Sequence, residues 1–344
     1  MLGLGLPILI CEYAIGRGSN KSLGSAFKML SPEGTRWHHF RWVAYAGNYL
    51  LMMFYTMVAG WMLNYFVYSL TGQLSGKNVE QIGGEFNNML STPSVMIFWT
   101  LVVVVISILV CSLGLQKGVE KISKVMMILL FALMIIMAVN SLLLDGSSEG
   151  LKFYLVPDFS KMKEQGIGNV VFAAMSHAFF TLGLGIGSME IFGSYLSRDC
   201  KLTGESINVV ILDTVVALTA GIIIIPACFA YGINPGAGPS LLFITLPNVF
   251  NQMPGGVIWE VLFFIFMAFA ALSTVIAVYE NIIAMTMDLF NCSRKRASLV
   301  NLFVISVLCI PAVLGYNVLS GVQPLGAGTT IMDLEDFIVS YNIL

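Results

Sequence analysis

The chain has 344 residues, of which 57% are hydrophobic and only 10% are charged. Soluble domains carry about 25% charged residues, so most of this chain does not face water. Its formal net charge of −2 provides no basic field, and nucleic acid is therefore not expected as a partner. The six cysteines form no Cys-x-x-Cys pair, which argues against a zinc site or a disulfide framework.

Long apolar runs predict membrane-spanning helices, each of which needs about 20 residues. In chain order the predicted spans are 1–16, 42–70, 94–114, 123–144, 168–195, 205–232, 256–287 and 297–317. A ninth apolar segment begins near Met332 and is cut off at Leu344. The sequence thus predicts an all-α polytopic membrane protein, with one partial transmembrane domain over 1–344 and about eight complete or nearly complete helices.

The connections between these spans form two alternating sets that differ in charge. The first set consists of 71–93, 145–167, 233–255 and 318–331. The second set consists of 17–41, 115–122, 196–204 and 288–296. With a residue or two of slack, the second set holds 13 of the 17 Lys and Arg residues. Positively charged loops remain on the cytoplasmic side, so the second set is predicted to be cytoplasmic in a multi-pass plasma-membrane protein.

One predicted span is interrupted by glycine. Within 168–195, the run Phe179–Ser188 has glycines at alternate positions, 183, 185 and 187. Each glycine in a helix interior costs roughly 1 kcal/mol relative to alanine. Discontinuous helices of this kind form binding sites at the midplane of secondary transporters. Close helix packing through small residues is the alternative explanation.

Ionisable side chains at membrane depth usually face the bundle interior and have a function there. Five such residues occur: Glu12, His177, Glu190, Asp213 and Glu280. Glu12 and Glu280 are expected to accept hydrogen bonds from freed N–H groups, and Glu190 to be solvated near the cytoplasmic side. Asp213 is the strongest candidate for a functional charge because it stands alone in a long apolar run.

A group of hydroxyl side chains lies in the middle of span 256–287. Ser273 and Thr274 follow Ala270 by about one helical turn. A hydroxyl within a helix usually donates to its own helix backbone. Hard cations such as sodium also prefer oxygen ligands, so a cation site is the second interpretation.

Together these features resemble the neurotransmitter:sodium symporter family, especially its bacterial amino-acid members. The matching motifs are Gly5–Arg17, Lys117–Lys124, Phe179–Gly187, Phe269–Thr274 and Met332–Phe337. The resemblance implies an inverted-repeat helical bundle of the sodium symporter type, with 168–195 as its discontinuous sixth helix. It also implies that the chain starts at the family's second helix and ends inside its tenth, so that the first helix is missing.

Residue by residue, the resemblance implies substrate contacts, sodium ligands and gates. The substrate contacts are Leu51, Tyr55, Phe180, Gly183 and Ile186, with Tyr55 donating to the substrate carboxylate and Phe180 covering the pocket from outside. The sodium ligands are Thr181 and Asp213 at one site, and Ala270, Ser273 and Thr274 at the other. In gating, Glu12 holds the unwound backbone near Gly185, Tyr195 steadies the inner gate, and Asp288 and Asp336 are the acidic halves of the inner and outer gates.

Departures from the family pattern refine the expected activity. Asp213 stands where many members have asparagine, and Ala217 where chloride-dependent members have serine, which predicts transport without chloride. Gly183 and Ile186 replace bulkier or hydroxylated residues, which favours large neutral amino acids. His177, where relatives often have glutamine, is expected to be a satisfied polar residue; pH-sensitive binding is the alternative.

The sequence therefore predicts sodium-coupled symport of a neutral amino acid by alternating access, with co-transported sodium and no organic cofactor. Loop 71–93 has no cysteine pair and no glycosylation sequon, which favours a bacterial inner membrane. A non-transporting fragment or degenerate copy is one alternative. An intramembrane enzyme is disfavoured, because the three histidines do not cluster in sequence and Asp213 has no matching aspartate. No oligomeric state is predicted.

Overall fold

The computed structural model describes residues 1–114, 119–233, 235 and 238–344, so Lys117 and the start of its motif lie outside the described residues. Elements are numbered in chain order. The α-helices are α1 Gly5–Ser19, α2 Leu23–Leu30, α3 Phe40–Leu70, α4 Val79–Ser91, α5 Pro93–Ser112, α6 Lys121–Leu142, α7 Ser147–Leu155, α8 Phe159–Gln165, α9 Ile167–Leu182, α10 Ser188–Tyr195, α11 Leu202–Ala230, α12 Leu246–Gln252, α13 Gly256–Phe290, α14 Arg294–Leu314 and α15 Ile331–Ile338. A 3-10 turn, Trp37–His39, precedes α3, and π-helical turns at Leu241–Thr245 and Val339–Ile343 flank α12 and α15.

In the described part of the chain, six helices are long and apolar enough to cross a membrane. These are α3 together with the turn before it, α5, α6, α11, α13 and α14. The shorter α1 and the pair α9 and α10 coincide with the remaining two predicted spans. The predicted all-α polytopic architecture is confirmed. The short helices α2, α4, α7 and α8, which fold within the connections, were not predicted.

Helices α3 and α13 pack against each other and carry much of the core. At one end of this core, the buried Trp61 ring lies 5.4–5.8 Å from the rings of Phe86, Phe243 and Tyr316. Such edge-to-face aromatic pairs stabilise a packed core beyond the area that they bury. The pair α3 and α13 thereby forms a fixed wall beside the interrupted helix.

Helix α1 packs against α10 with almost no space between the backbones. A Cβ atom on Gly16 would lie 1.9 Å from the carbonyl oxygen of Glu190. A Cβ atom on Gly193 would lie 2.7 Å from the Cα atom of Tyr13. Small residues permit this approach between helices in a membrane. The contact fixes α10 relative to the Glu12 side chain on α1.

Hydrogen bonds join loops of the same predicted set. Arg17 donates to the carbonyl of Cys200 at 2.7 Å, and Lys21 donates to Asp288 at 3.4 Å, which joins three loops of the basic set. On the opposite side, Asn251 donates to the carbonyl of Leu74 at 2.8 Å. The alternation inferred from the charges therefore corresponds to two faces of the bundle.

Candidate functional site

The interruption of the glycine-rich helix lies where the sequence predicts it. Helix α9 ends at Leu182 and α10 begins at Ser188. Between them Gly183, Gly185 and Gly187 have φ values of 61°, 89° and 75°. This left-handed region is open to glycine, whereas side chains with a Cβ atom rarely enter it. The three glycines thus permit the chain to unwind and then restart as α10.

Three buried side chains bind the unwound backbone from two sides. Glu12 Oε1 accepts a hydrogen bond from the N–H of Gly185 at 2.7 Å, as the resemblance implies. The amides of Asn48 and Asn281 donate to the carbonyl of Ile186 at 2.8 and 3.4 Å, and Asn281 also donates to Asn48 Oδ1 at 3.0 Å. Freed backbone groups in a membrane must find such partners inside the protein.

The asparagine pair was missed by sequence reasoning. Asn48 and Asn281 are both fully buried. Each is an uncharged amide within a largely apolar span, whereas the polar site residues predicted at membrane depth were ionisable groups and hydroxyls. An amide at membrane depth is the signal that would have identified them.

A cavity of about 440 Å³ lies beside the unwound turn and is bounded by α3, α9, α10, α11 and α13. All five residues named as substrate contacts line it: Leu51, Tyr55, Phe180, Gly183 and Ile186. Met189, Phe192, Ala277 and Val278 also line it and were not predicted. Its size falls in the usual range of small-molecule sites, about 300–1,000 Å³, and its wall is mainly apolar, as such sites are.

Thr181 and Asp213 bring oxygen atoms to one side of this cavity. The Thr181 hydroxyl interacts with the Asp213 carboxylate across the contact between α9 and α11. The second carboxylate oxygen, Oδ2, is buried and accepts no hydrogen bond from the described residues. The exposed His177 also lies within electrostatic reach of Asp213. Buried carboxylate oxygens usually have a partner, so Oδ2 is available to a cation.

A second group of oxygens lies within one turn of α13. Ser273 donates to the carbonyl of Ala270 at 2.8 Å, and Thr274 donates to the same carbonyl at 3.3 Å. Ser273 and Thr274 line the cavity, whereas Ala270 does not. A hydroxyl that donates its proton keeps lone pairs that can accept or coordinate. The back-bonding interpretation and the cation interpretation are therefore compatible.

The residues named as gates have local partners. Asp288 accepts from the Ser22 backbone N–H at 2.9 Å and from its hydroxyl at 2.7 Å, in addition to Lys21. Tyr195 donates to Glu280 Oε1 at 3.0 Å. Asp336 accepts from the Ser340 hydroxyl at 2.7 Å. Asp288 thus joins the start of α2 to the end of α13, on the basic face.

Two expectations for buried acids were wrong. Glu280 does not bind freed N–H groups but forms a two-point ion pair with Arg294, at 2.7 and 2.8 Å. The reason is that the short turn after α13 returns Arg294 to the same depth. Glu190 is not solvated; it is 1% exposed, because α1 packs directly on α10, and its Oε1 has no partner among the described residues.

Comparison with known proteins agrees with these features. The model of the sodium:neurotransmitter symporter family matches residues 77–334. The uncharacterized sodium-dependent transporter YhdH of Bacillus subtilis is 36% identical over 341 residues, which are 99% of this chain and 74% of YhdH. This chain belongs to the sodium:neurotransmitter symporter family. An uncharacterized sodium-dependent transporter of Haemophilus influenzae is 32% identical over 100% of this chain and 76% of its own length.

Among solved structures, the chain is similar to MhsT, which was crystallised in complex with L-phenylalanine. The TM-score is 0.88 at 38% identity, and the match covers 98% of this chain and 75% of the MhsT chain. Family membership, predicted from the motifs, is confirmed. The family consists of sodium-dependent transporters, so the alternative of an intramembrane enzyme is set aside.

Proposed function

We propose that this family member carries out sodium-coupled symport of a neutral amino acid by alternating access. The observation that supports this most directly is the cavity beside the unwound turn. It gathers all five proposed substrate contacts and four of the five proposed sodium ligands. Binding of sodium and amino acid in one cavity couples their movements, and one sodium ion crossing 100 mV gains about 2.3 kcal/mol.

The wall of the cavity favours a large neutral side chain. Among the residues that the structure describes, Asp213 is the one charged residue that lines it. Leu51, Phe180 and Ile186 provide an apolar lining, and Gly183 adds no side chain to it. In our proposal Tyr55 donates its hydroxyl to the substrate carboxylate. The complex of MhsT with L-phenylalanine supports an amino-acid substrate of this size.

The two oxygen groups are the proposed sodium sites. Thr181 and Asp213 hold one ion, and the carbonyl of Ala270 with Ser273 and Thr274 holds the other. Oxygen atoms are the ligands that hard cations prefer. Because Asp213 supplies a fixed negative charge and Ala217 has no hydroxyl, we propose that chloride is not required.

Movement of the gates completes the proposal. Glu12 keeps the unwound backbone in place, Tyr195 and Asp288 act at the inner gate, and Asp336 acts at the outer gate. Residues 1–344 form one transmembrane domain in this proposal, and the bacterial relatives favour the inner membrane as its location.

Transport in proteoliposomes tests the proposal. Purified protein is reconstituted, and uptake of radiolabelled L-phenylalanine, L-leucine and L-glutamate is measured under an inward sodium or potassium gradient. We expect uptake of the two neutral amino acids with sodium only, unchanged when gluconate replaces chloride. Loss of uptake in gluconate contradicts chloride independence, and preference for L-glutamate contradicts the substrate class. Absence of uptake for all three amino acids under either gradient supports the alternative of a non-transporting copy.

A further inference from the structure

The connection between α1 and α3 lies on the basic face of the bundle and carries an unusual surface. Phe27 of α2 packs edge-to-face on Phe40, with ring centroids 5.9 Å apart, which fixes α2 against the start of α3. The neighbouring residues Lys28 and Arg41 therefore lie close to this contact. The turn Trp37–His39 between them contains no buried residue.

Large apolar side chains on this connection face outwards. Met29 is 65% exposed and Trp37 64%, and Trp42 at the start of α3 is 46% exposed. Tryptophan is enriched where a membrane meets water, because its ring is amphipathic. Its position at the end of a membrane-spanning helix places this surface at the level of the lipid headgroups.

The cations on this surface differ from three cations of the same face that are bonded within the protein. Arg17, Lys21 and Arg294 each donate to a carbonyl or carboxylate of the protein. By contrast, the side chains of Lys28, Arg36 and Arg41 form no hydrogen bond or ion pair with any residue that the structure describes. The Nε atom of Arg41 is buried without a partner. Its guanidinium group lies over the Trp42 ring, 5.3 Å from the centroid.

The charge of this surface and its exposed apolar side chains together indicate which kind of molecule binds there. Glu33 is the single acidic residue in 17–41, so the three cations are not neutralised locally. Basic clusters beside a spanning helix attract anionic headgroups, and the guanidinium fork of arginine suits a phosphate group. We propose that this surface, defined by Lys28, Met29, Arg36, Trp37, Arg41 and Trp42, binds an anionic phospholipid of the adjoining leaflet. The cations hold the phosphate group, and Trp37, Trp42 and Met29 contact the acyl chains.

Native mass spectrometry of the detergent-purified protein tests this inference. Phosphatidylglycerol and phosphatidylcholine are titrated separately, and lipid bound per protein is measured. Each cation near an anionic surface contributes about fivefold in affinity. The triple variant Lys28→Gln, Arg36→Gln, Arg41→Gln is therefore expected to lose roughly 100-fold for phosphatidylglycerol.

A matched control variant distinguishes a specific lipid site from general attraction by the positive charge of the basic face. Lys121, Lys124 and Lys295 are also exposed on the basic face, and replacing all three with glutamine removes the same charge. We expect the control to lose less than about threefold. Equal losses in both triple variants, or equal binding of the two lipids by the wild type, would overturn the proposal. If free phosphate at millimolar concentration displaces the lipid, the site recognises the phosphate ion and the proposal also fails.

The single variant Arg36→Gln keeps the test valid if the triple variant does not fold. Arg36 lies in the exposed turn before α3 and packs against no core residue. We expect a loss of about fivefold for phosphatidylglycerol, with no change for phosphatidylcholine. An unchanged affinity for phosphatidylglycerol counts against the site. This test does not depend on transport, so its outcome is independent of the proposed symport.

Discussion

The two halves of the site differ in whether the polar atoms they present belong to the backbone of the break or to side chains of the cavity. On the side of the unwound turn, the freed N–H of Gly185 and carbonyl of Ile186 are bound by Glu12, Asn48 and Asn281. On the side of the cavity, Asp213 Oδ2 has no partner among the described residues. The protein thus provides partners for two freed backbone groups of the break and leaves a carboxylate oxygen of the cavity available.

This difference separates residues that stabilise the fold from residues that bind an ion or substrate. A partner that satisfies a buried backbone group stabilises the fold whether or not a ligand is present. An oxygen left free inside a cavity contributes only when an ion or substrate arrives, since a bound ligand stabilises by mass action. Variants on the two sides should therefore separate stability without ligand from stabilisation by sodium.

The largest expected effect is on the unwound turn itself. Glu12→Ala leaves the N–H of Gly185 buried without an acceptor, which should lower the free energy of unfolding by about 3 kcal/mol. Thermal unfolding in sodium-free buffer measures this. Glu12→Gln retains an acceptor oxygen and is the control, with a smaller loss expected. If Glu12→Ala unfolds at the wild-type temperature without sodium, the proposed distinction between the two sides is wrong.

The next effect should appear only when sodium is present. Asp213→Ala removes a carboxylate that no described residue bonds through Oδ2, so the melting temperature without sodium should change little. The sodium concentration that gives half-maximal thermal stabilisation should rise at least tenfold, about 1.4 kcal/mol. Asp213→Asn keeps one oxygen and should lose less. A large loss of stability in the absence of sodium would assign Asp213 to the scaffold instead.

How far the sequence predicts this site depends on the kind of signal. The break at Gly183, Gly185 and Gly187 was predicted because glycine acts through local backbone freedom. Asn48 and Asn281 were missed, because their importance comes from a tertiary contact between α3, the unwound turn and α13. The sequence shows two amides at membrane depth, but not that both of them reach the carbonyl of Ile186.

The buried acids show the same limit. The isolation of Asp213 in an apolar run identified it, and the family resemblance supplied its neighbours. For Glu190, the helix was predicted but the helix that packs on it was not. The close approach of α1 depends on Gly16 against the carbonyl of Glu190 and on Gly193 against Tyr13. For Glu280, depth was predicted correctly and the partner Arg294 was not, because only the folded turn returns that residue to the core.

Selectivity should respond to a smaller change in the cavity wall. Gly183→Ser adds a side chain at φ 61°, with the nearest heavy atom of another residue, Ser188 Cβ, 3.6 Å from the new Cβ atom. We expect about fivefold weaker binding of L-phenylalanine and little change for L-alanine, in keeping with 1–3 kcal/mol for a methylene in a pocket. Competition binding with the two amino acids measures the ratio. An equal loss for both would mean that strain in the turn, and not space, determines the effect.

The smallest expected effect concerns an ion pair outside the membrane-spanning helices. In loop 71–93, a hydrogen bond from Lys77, 2.5 Å from Glu85, together with one from Gln73, lowers the pKa of the Glu85 carboxyl below its ordinary 4.5. A carboxyl with a lowered pKa stabilises the fold above its unfolded pKa, and this contribution is lost as the pH falls through the folded value. Lys77→Met should therefore reduce the free energy of unfolding at pH 7 by less than about 1 kcal/mol, as for exposed ion pairs. The difference from wild type should vanish once the pH falls below the lowered pKa of the Glu85 carboxyl. Thermal unfolding of both proteins across this pH range measures it. A difference that persists at low pH would show that the Lys77 side chain stabilises the fold by packing and not through its charge.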